Sequence, residues 1–215
     1  MDTARDVHGG DTASEPSTRM TEGLPGLAFD LVLLDRDGVL NRDLARGVRH
    51  QSDWEWLPEA REAVRMLSES GTRMMVVTNQ ANIGRGLLAR AELNAIHRRM
   101  IDGLRPVRFS LDDVFACPHT PDDGCLCRKP RPGMILAALK RAQVRPDRTL
   151  LIGDQESDIA AAQAAGCWAI HVRSGKGDPP EDARAGHLGS ACDLLSVVRS
   201  LHGSDRPGTA RPNQG

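Results

Sequence analysis

The stretch AFDLVLLDRDGVLN, residues 28–41, begins as an apolar run and ends with two acids separated by one residue. A short apolar run of this kind is typical of a buried strand in a parallel sheet, here predicted over residues 28–34. Asp35 and Asp37 follow the strand directly, and Gly38 lets the chain turn away after them. Because residues two apart in a regular strand share a face, both carboxylates can point to one site. A turn with solvated acids would have the same composition.

Downstream of this strand, short apolar runs alternate with amphipathic helical patterns. Further strands are predicted at 73–77, 114–116, 149–152 and 168–172. Helices are predicted at 58–70, 89–104, 132–143, 156–165 and 190–201. The alternation predicts an α/β fold built on a doubly wound, mostly parallel sheet. In such sheets a ligand binds beyond the carboxyl ends of the strands.

The composition of the 215-residue chain argues against several classes of function. Lys and Arg number 28 and Asp and Glu 29, a balance unlike that of a protein built mainly to hold nucleic acid or an anionic membrane. With three Phe, three Trp and no Tyr, the chain is poorly equipped to stack on bases. No apolar run reaches the roughly 18–20 residues that cross a bilayer, and the N-terminus has no apolar core of a signal peptide. We therefore expect a cytoplasmic protein with no nucleic-acid or membrane partner, and we expect it to be a monomer.

The two ends of the chain differ in composition from its middle. Residues 1–26 and 203–215 are rich in polar residues, Gly and Pro, and poor in large apolar side chains. Segments of this composition cannot bury enough apolar surface to fold. We expect disordered ends around a folded body at 27–202.

Polar motifs follow the predicted strands at the edge where a ligand would bind. Residues 78–80, Thr-Asn-Gln, follow the second strand, and a hydroxyl with successive backbone N–H groups can hold phosphate oxygens. Lys129 directly follows Arg128 and indicates a fixed cation for phosphate. Asp154 and Asp158 follow the fourth strand and could serve a metal ion, although Asp158 could equally complement the dipole of the next helix. Each motif alone is also compatible with an ordinary polar turn.

A dense group of metal ligands lies between the third strand and Lys129. Residues 117–127 are CPHTPDDGCLC, so Cys117, His119, Cys125 and Cys127 offer three thiolates and one imidazole within eleven positions. Structural zinc sites use closed sets of this kind, with no coordination position left for water. The segment therefore predicts a structural zinc loop and not a catalytic zinc; an incidental Cys-rich loop is the alternative.

The order of these motifs, D-x-D-G-V, T-N, K and then G-D-x-x-x-D, resembles the haloacid dehalogenase superfamily of phosphohydrolases over about residues 29–172. The resemblance implies that Asp35 attacks phosphorus to form an aspartyl-phosphate, and that Asp37 protonates the leaving oxygen and later activates water. It also implies Mg²⁺ held by Asp35, the main-chain carbonyl of Asp37, and Asp154.

The same resemblance implies roles for the residues around the phosphate. Thr78 and Lys129 are expected to stabilise its oxygens, and Asp158 to orient Lys129 or a metal-bound water. Arg128 is a candidate for reading a second phosphate. The predicted substrate contacts are Asp43, Thr78, Asn79, Gln80, Arg128, Lys129 and Gln155.

Residues 117–134, CPHTPDDGCLCRKPRPGM, narrow the resemblance to a zinc-containing branch with small substrates. Both the D-glycero-D-manno-heptose 1,7-bisphosphate phosphatases and the histidinol-phosphate phosphatases carry this loop. Residues 53–58, DWEWLP, and the pattern T-N-Q-x-x-I-x-R-G from Thr78 are more similar to the heptose enzymes. The resemblance thus implies removal of the C7 phosphate from the phosphorylated sugar. Histidinol-phosphate phosphatase is the first alternative.

Two further alternatives come from other classes. A nucleic-acid 3′-phosphatase shares T-N-Q-x-x-I-x-R-G, but the charge balance and the few aromatic residues argue against it. A receiver-like signalling domain or a zinc module without catalysis would have no use for the second acid of D-x-D-G.

The spacing of the motifs limits the shape of the site. From Asp35 to Thr78 the chain runs 43 residues and from Thr78 to Lys129 51, and sheet elements with the zinc loop fill both intervals. No separate cap domain fits, so we expect an open site shaped only by the 42–56 loop and the zinc loop. His97, beside two arginines, is expected on a solvated helix face.

Overall fold

The computed structural model describes residues 29–179 and 186–203. The disordered ends predicted at 1–26 and 203–215 therefore lie outside the described residues, except for Gly203. The described strands are β1 (Leu31–Leu34), β2 (Arg73–Asn79), β3 (Val114–Cys117), β4 (Thr149–Gly153), β5 (Trp168–Val172) and β6 (His187–Ala191). The helices are α1 (Ala60–Glu69), α2 (Arg90–Gly103), α3 (Gly133–Ala142), α4 (Glu156–Ala164) and α5 (Leu194–Leu201). Short 3-10 helices lie at Gln51–Asp53, Leu111–Asp113, Pro121–Asp123 and Pro146–Arg148.

The strands form one parallel sheet in the order β3-β2-β1-β4-β5-β6. β1 is buried along its whole length, because its alternate side chains face two different layers of helices. Val32 and Leu34 pack in the layer of α1, α2 and α5, whereas Leu31 and Leu33 pack in the layer of α3 and α4. The predicted fold class, a doubly wound α/β sheet, is confirmed.

The prediction for the last elements is wrong in one respect. Ser190 and Ala191 were expected to begin a helix, but they end β6, the edge strand beside β5. Helix α5 begins only at Leu194, where the Asp193 side chain accepts a hydrogen bond from the N–H of Ser196 at 2.8 Å. β6 has five residues and contains Gly189 at a φ of 101°, so its sequence carries no strand pattern.

The described part of the chain contains no cap domain between the motifs. Only a 3-10 helix and α1 lie between β1 and β2, and α2, β3 and two 3-10 helices separate β2 from Lys129. The capless architecture is thus confirmed. No helix within residues 29–179 or 186–203 combines the length and the apolar character that crossing a bilayer demands.

Candidate active site

Three neighbouring strands bring the acidic and hydroxyl side chains to one edge of the sheet. β1 lies between β2 and β4, with Leu34 paired to Val76 on one side and to Ile152 on the other. Asp35 directly follows β1, Thr78 lies near the end of β2, and Asp154 directly follows β4. All three line a cavity of about 460 Å³. The topology therefore joins motifs that are more than a hundred residues apart.

Lys129 forms the centre of the cavity floor and is almost fully buried. Its Nζ lies 2.9 Å from Asp35 Oδ1 and 2.5 Å from Asp158 Oδ1, and it donates to the Val77 carbonyl at 2.8 Å. Burial opposes the charge on Lys129, but the carboxylates of Asp158 and Asp35 outweigh it and raise its pKa. The amine is a fixed cation that holds both carboxylates.

Two further contacts position Lys129 and its partner Asp158. Asn79 grips the Lys129 backbone from both sides, since its Nδ2 donates to the Lys129 carbonyl and its Oδ1 accepts from the Lys129 N–H, each at 3.1 Å. Asp158 also accepts the Gln155 N–H at 3.0 Å, so it caps α4 while it holds the amine. Asp158 therefore contacts Lys129 and also lies in the first turn of α4, where an acid complements the helix dipole.

The carboxylates of the floor carry more negative charge than Lys129 balances. Asp35, Asp154 and Asp158 are all buried, and each offers an oxygen within 4.8 Å of the others. Burial raises the pKa of Asp35 to about 7 although Lys129 acts in the opposite direction, and burial together with Asp35 raises the pKa of Asp154 to about 6. Among the described residues, the buried Asp154 Oδ1 has no hydrogen-bond donor. An all-oxygen set with excess negative charge fits Mg²⁺.

The loop after β5 closes tightly around Asp154. The Lys176 N–H donates to Asp154 Oδ2 at 3.0 Å, and the Gln155 side chain donates to the same oxygen at 2.8 Å. A Cβ on Gly175 would lie 1.9 Å from this oxygen, and a Cβ on Gly177 would lie 1.9 Å from the Asp154 carbonyl oxygen. Only glycine lets the backbone approach this closely. The loop holds Asp154 in one orientation.

The carboxylate of Asp37 accepts hydrogen bonds from three side chains. Arg36 Nη2 donates to both oxygens, at 3.0 and 2.8 Å. Asn41 donates to Oδ1 and Gln80 donates to Oδ2, each at 2.9 Å. Burial would raise the pKa of Asp37, but the charge of Arg36 and these hydrogen bonds outweigh it and lower the pKa. The Gln80 amide also donates to Thr78 Oγ1 at 3.0 Å, which links the two cavity walls.

Cations and one ion pair surround the mouth of the cavity. Asp43 Oδ2 lies 2.9 Å from Lys176 Nζ, so the 42–56 loop meets the loop after β5. Asn82 donates to the Arg46 carbonyl at 3.0 Å and ties the 42–56 loop to the loop after β2. The remaining cationic side chains of the lining are Arg46, Arg49, Arg85 and Arg128.

The expectation that only the 42–56 loop and the zinc loop shape the site is wrong. The loops after β2 and β5 line the cavity as well. Residues 117–127 of the zinc loop do not line it, but Arg128 and Lys129, which directly follow the loop, do. Of the lining residues that the sequence did not single out, Lys176 had a usable signal, because it follows a strand end. Arg85 had one as well, because it is the arginine of the pattern T-N-Q-x-x-I-x-R-G, whereas Arg46 and Arg49 had none.

The four predicted zinc ligands lie together. The Sγ atoms of Cys117, Cys125 and Cys127 are 3.3–3.7 Å apart, and His119 Nδ1 is 3.2 Å from Cys127 Sγ and 3.5 Å from Cys117 Sγ. Zn–S bonds of about 2.3 Å in a tetrahedron place sulfurs roughly 3.8 Å apart, which matches this spacing. The donor set fits zinc, and it leaves no position open for water.

His97 does not lie on a solvated helix face, contrary to expectation. Its side chain is buried with 3% exposure, and its Nε2 lies 3.2 Å from Arg36 Nη1. α2 is an amphipathic helix whose buried face includes Leu93, Ile96 and Met100, and His97 belongs to that face. The neighbouring arginines of the sequence concealed this position.

Comparisons with known proteins agree with this geometry. The HAD-hydrolase-like family model matches residues 126–196. The D-glycero-beta-D-manno-heptose-1,7-bisphosphate 7-phosphatase of Bordetella bronchiseptica is 38% identical over 175 residues, which cover 78% of this chain and 94% of the relative. The D-glycero-alpha-D-manno-heptose-1,7-bisphosphate 7-phosphatase of Mycobacterium bovis is 36% identical over 148 residues, covering 66% of this chain and 78% of the relative.

A solved structure gives the same result at the level of the fold. The crystal structure of the D,D-heptose 1,7-bisphosphate phosphatase from B. bronchiseptica, complexed with magnesium and phosphate, aligns with a TM-score of 0.73 and 36% identity. The alignment covers 81% of this chain and 98% of that chain. The chain is thus a phosphoric monoester hydrolase of the haloacid dehalogenase-like fold, and it belongs to the family of the D-glycero-D-manno-heptose-1,7-bisphosphate 7-phosphatases.

Proposed function

We propose that the protein is a Mg²⁺-dependent phosphomonoesterase that removes the C7 phosphate of D-glycero-D-manno-heptose 1,7-bisphosphate through an aspartyl-phosphate on Asp35. The observation that carries the proposal is the cluster of Asp35, Asp154 and Asp158 around Lys129 at the floor of an open cavity. The substrate follows from the family, because the relatives above are named for the 7-phosphatase reaction on this bisphosphate.

Asp35 is the proposed nucleophile. Its Oδ1 is paired with Lys129, so we assign the attack on phosphorus to Oδ2. The new bond joins this oxygen to phosphorus, and the bond between phosphorus and the C7 oxygen breaks. When held by Asp35, the main-chain carbonyl of Asp37 and Asp154, Mg²⁺ supplies positive charge that reduces the repulsion between carboxylate and phosphate.

Asp37 is the proposed general acid–base. Because its pKa is lowered in the free protein, we assign the uptake of its proton to the entry of the phosphate dianion; Asp37 then gives this proton to the C7 oxygen as that oxygen leaves, and it takes a proton from the water that attacks the phosphoenzyme. The second attack releases inorganic phosphate and restores Asp35. Gln80 bridges Asp37 to Thr78, and we assign Thr78 and Lys129 to the equatorial phosphate oxygens.

The mouth of the cavity is the proposed site of the sugar and of its second phosphate. Arg128 lines the cavity beside Lys129, and its guanidinium can pair with a phosphate in a bidentate manner. We also assign Asp43, Asn79 and Gln155 to this region as candidate sugar contacts. The zinc loop is assigned a structural role, because its four ligands leave no open position.

A substrate panel tests the proposal. Phosphate release is measured with Mg²⁺ and without it, on both anomers of the heptose 1,7-bisphosphate, on histidinol phosphate, on a 3′-phosphorylated oligonucleotide and on p-nitrophenyl phosphate. We expect Mg²⁺-dependent turnover with the highest kcat/KM on one heptose bisphosphate, and heptose 1-phosphate as its product by ³¹P NMR. A higher kcat/KM on histidinol phosphate would overturn the substrate and leave the mechanism, whereas no Mg²⁺-dependent release from any ester would overturn both.

A further inference from the structure

We propose that His97 is a positioning residue for catalysis: its imidazole holds the buried guanidinium of Arg36, which in turn holds the carboxylate of Asp37 for proton transfer. The inference rests on the proposed role of Asp37. It concerns a histidine on the buried face of α2, whose other buried residues, Leu93, Ile96 and Met100, are apolar.

Arg36 is an unusual residue to find inside the protein. Its side chain is fully buried, and its guanidinium carbon lies 6.0 Å from the centroid of a Trp54 ring. A buried charge is tolerated only when it is paired and hydrogen-bonded. Asp37 supplies the opposite charge at 2.8 Å, and His97 supplies the contact on the other side of the guanidinium at 3.2 Å.

The contact between His97 and Arg36 has one chemically sensible arrangement. A guanidinium has N–H donors and no acceptor, so His97 Nε2 must present its lone pair, and the ring proton must be on Nδ1. Burial and the charge of Arg36 lower the pKa of His97 to about 3, which keeps the ring neutral. A neutral imidazole fits between an apolar helix face and a cation.

The chain of contacts ends on the carboxylate that the mechanism needs. Arg36 Nη2 contacts both oxygens of Asp37, whereas Asn41 and Gln80 each contact one. A donor shared by both oxygens fixes the rotation of the carboxylate plane about its bond to Cβ. The side chain of Asp37 is 19% exposed and lines the cavity, while that of Arg36 is fully buried. The contacts therefore run from the helix core to the cavity wall.

Nothing else in the described contacts holds the far side of this guanidinium. Arg36 Nε has no hydrogen-bond partner among the described residues, and the polar contacts of its side chain there are those with His97 Nε2 and the Asp37 carboxylate. Loss of His97 Nε2 would leave Nη1 without a partner and let the guanidinium shift. A displacement of about 1 Å in a catalytic group can lower the rate about 100-fold.

Replacements of His97 separate positioning from stability. His97→Phe keeps a ring and removes the acceptor, whereas His97→Gln offers an amide oxygen near the position of Nε2. We expect kcat to fall about 10- to 100-fold in His97→Phe with KM within about twofold of the parent. We expect His97→Gln to recover most of kcat. Ile96→Ala, a buried change one residue away that removes no polar group, is the matched control and should lower the melting temperature while kcat is kept.

A double-mutant cycle gives the second readout. If His97 acts through Asp37, His97→Phe should have no further effect on single-turnover rate in an Asp37→Asn background. Parental kcat in His97→Phe, an equal kcat loss in Ile96→Ala, or an additive loss in the double mutant would overturn the proposal. If His97→Phe fails to fold, His97→Asn, whose amide is too short to reach Arg36, takes its place. The unsubstituted enzyme tests the proposed function separately, since its Mg²⁺-dependent turnover does not depend on the outcome for His97.

Discussion

Two clusters of side chains that could hold a metal ion lie almost next to each other along the chain, and they differ in ligand atoms and in how the chain assembles them. The zinc loop ends at Cys127, and the carboxylate floor takes its cation from Lys129, two residues later. The loop has sulfur and nitrogen ligands contributed by eleven consecutive positions. The carboxylate cluster has only oxygens, contributed by Asp35 and Asp154 directly after two strands and by Asp158 in the first turn of α4. Under the proposed function, the closed local set stabilises the fold, whereas the open set with unbalanced charge serves the reaction.

Substitution of the proposed nucleophile gives the largest expected effect. Asp35→Asn keeps the size of the side chain and removes the attacking charge, so kcat should fall by at least ~10³-fold. Phosphate release in steady state is the measurement. Asp30→Asn, an exposed acid paired with Arg148 just before β1, is the control and should leave kcat unchanged. Near-parental activity in Asp35→Asn would contradict the assignment of Asp35 as the nucleophile.

Loss of the floor's own cation should mainly reduce stability. In Lys129→Met the buried carboxylates of Asp35 and Asp158 lose their partner, and breaking a buried ion pair costs about 3–5 kcal/mol. The measurement is urea unfolding in buffer without Mg²⁺. Lys140→Met, on the exposed side of α3, should change the free energy of unfolding little. Equal stability of the two variants would mean that the Lys129 pairs contribute nothing net.

Loss of a zinc ligand should also reduce stability, and it should do so through loss of the metal. Purified protein should contain about one zinc per chain, and Cys125→Ser should lose that zinc and lower the melting temperature by roughly 4–8 °C, equivalent to about 2 kcal/mol. Elemental analysis and thermal unfolding measure the two quantities. Cys192→Ser, an exposed cysteine outside the loop, should keep its zinc. Freshly purified protein without bound zinc would contradict the assignment of the loop.

The last prediction concerns Arg128, which lies between the zinc loop and Lys129 in the sequence. Arg128→Ala should lower kcat/KM on the heptose bisphosphate. The loss should correspond to about 1.5–3 kcal/mol of transition-state stabilisation, the range for a hydrogen bond to a charged group. The loss on p-nitrophenyl phosphate should be much smaller, because that ester has no second phosphate. Arg145→Ala, exposed and paired with Asp147, serves as the control. Equal losses on both substrates would assign Arg128 to the reacting phosphate or to the fold.

The sequence predicted best those features that a local pattern encodes. β1 and the acids after it form one continuous signal, and the ligands from Cys117 to Cys127 lie within a single loop. Asp154 was predicted from its place after a strand, which is a topological rule and needs no knowledge of distances. The doubly wound sheet followed from the alternation of elements.

Features set by contacts between distant segments could not be predicted in this way. His97 and Arg36 are 61 residues apart, and the helix position of His97 carries a polar residue where the pattern requires an apolar one. The cations of the mouth lie on loops with no common signal. β6 contains Gly189 and only two apolar side chains, so it shows no strand period. In each case tertiary packing determined what the local sequence left open.

The separation of negative charge at the floor of the cavity from positive charge at its mouth affects how fast an anionic ligand associates. Carboxylates lie at the floor, whereas Arg85 is exposed at the mouth, with Arg49, Arg128 and the Asp53-paired Arg46 beside it. Cations that face solvent act over a distance of about one Debye length, roughly 8–10 Å in physiological salt. A doubly charged anion approaching from solution is therefore drawn to the mouth before it meets the acidic interior. Higher ionic strength should consequently lower the association rate constant of phosphorylated ligands with this enzyme, while the turnover of ligands that are already bound stays the same.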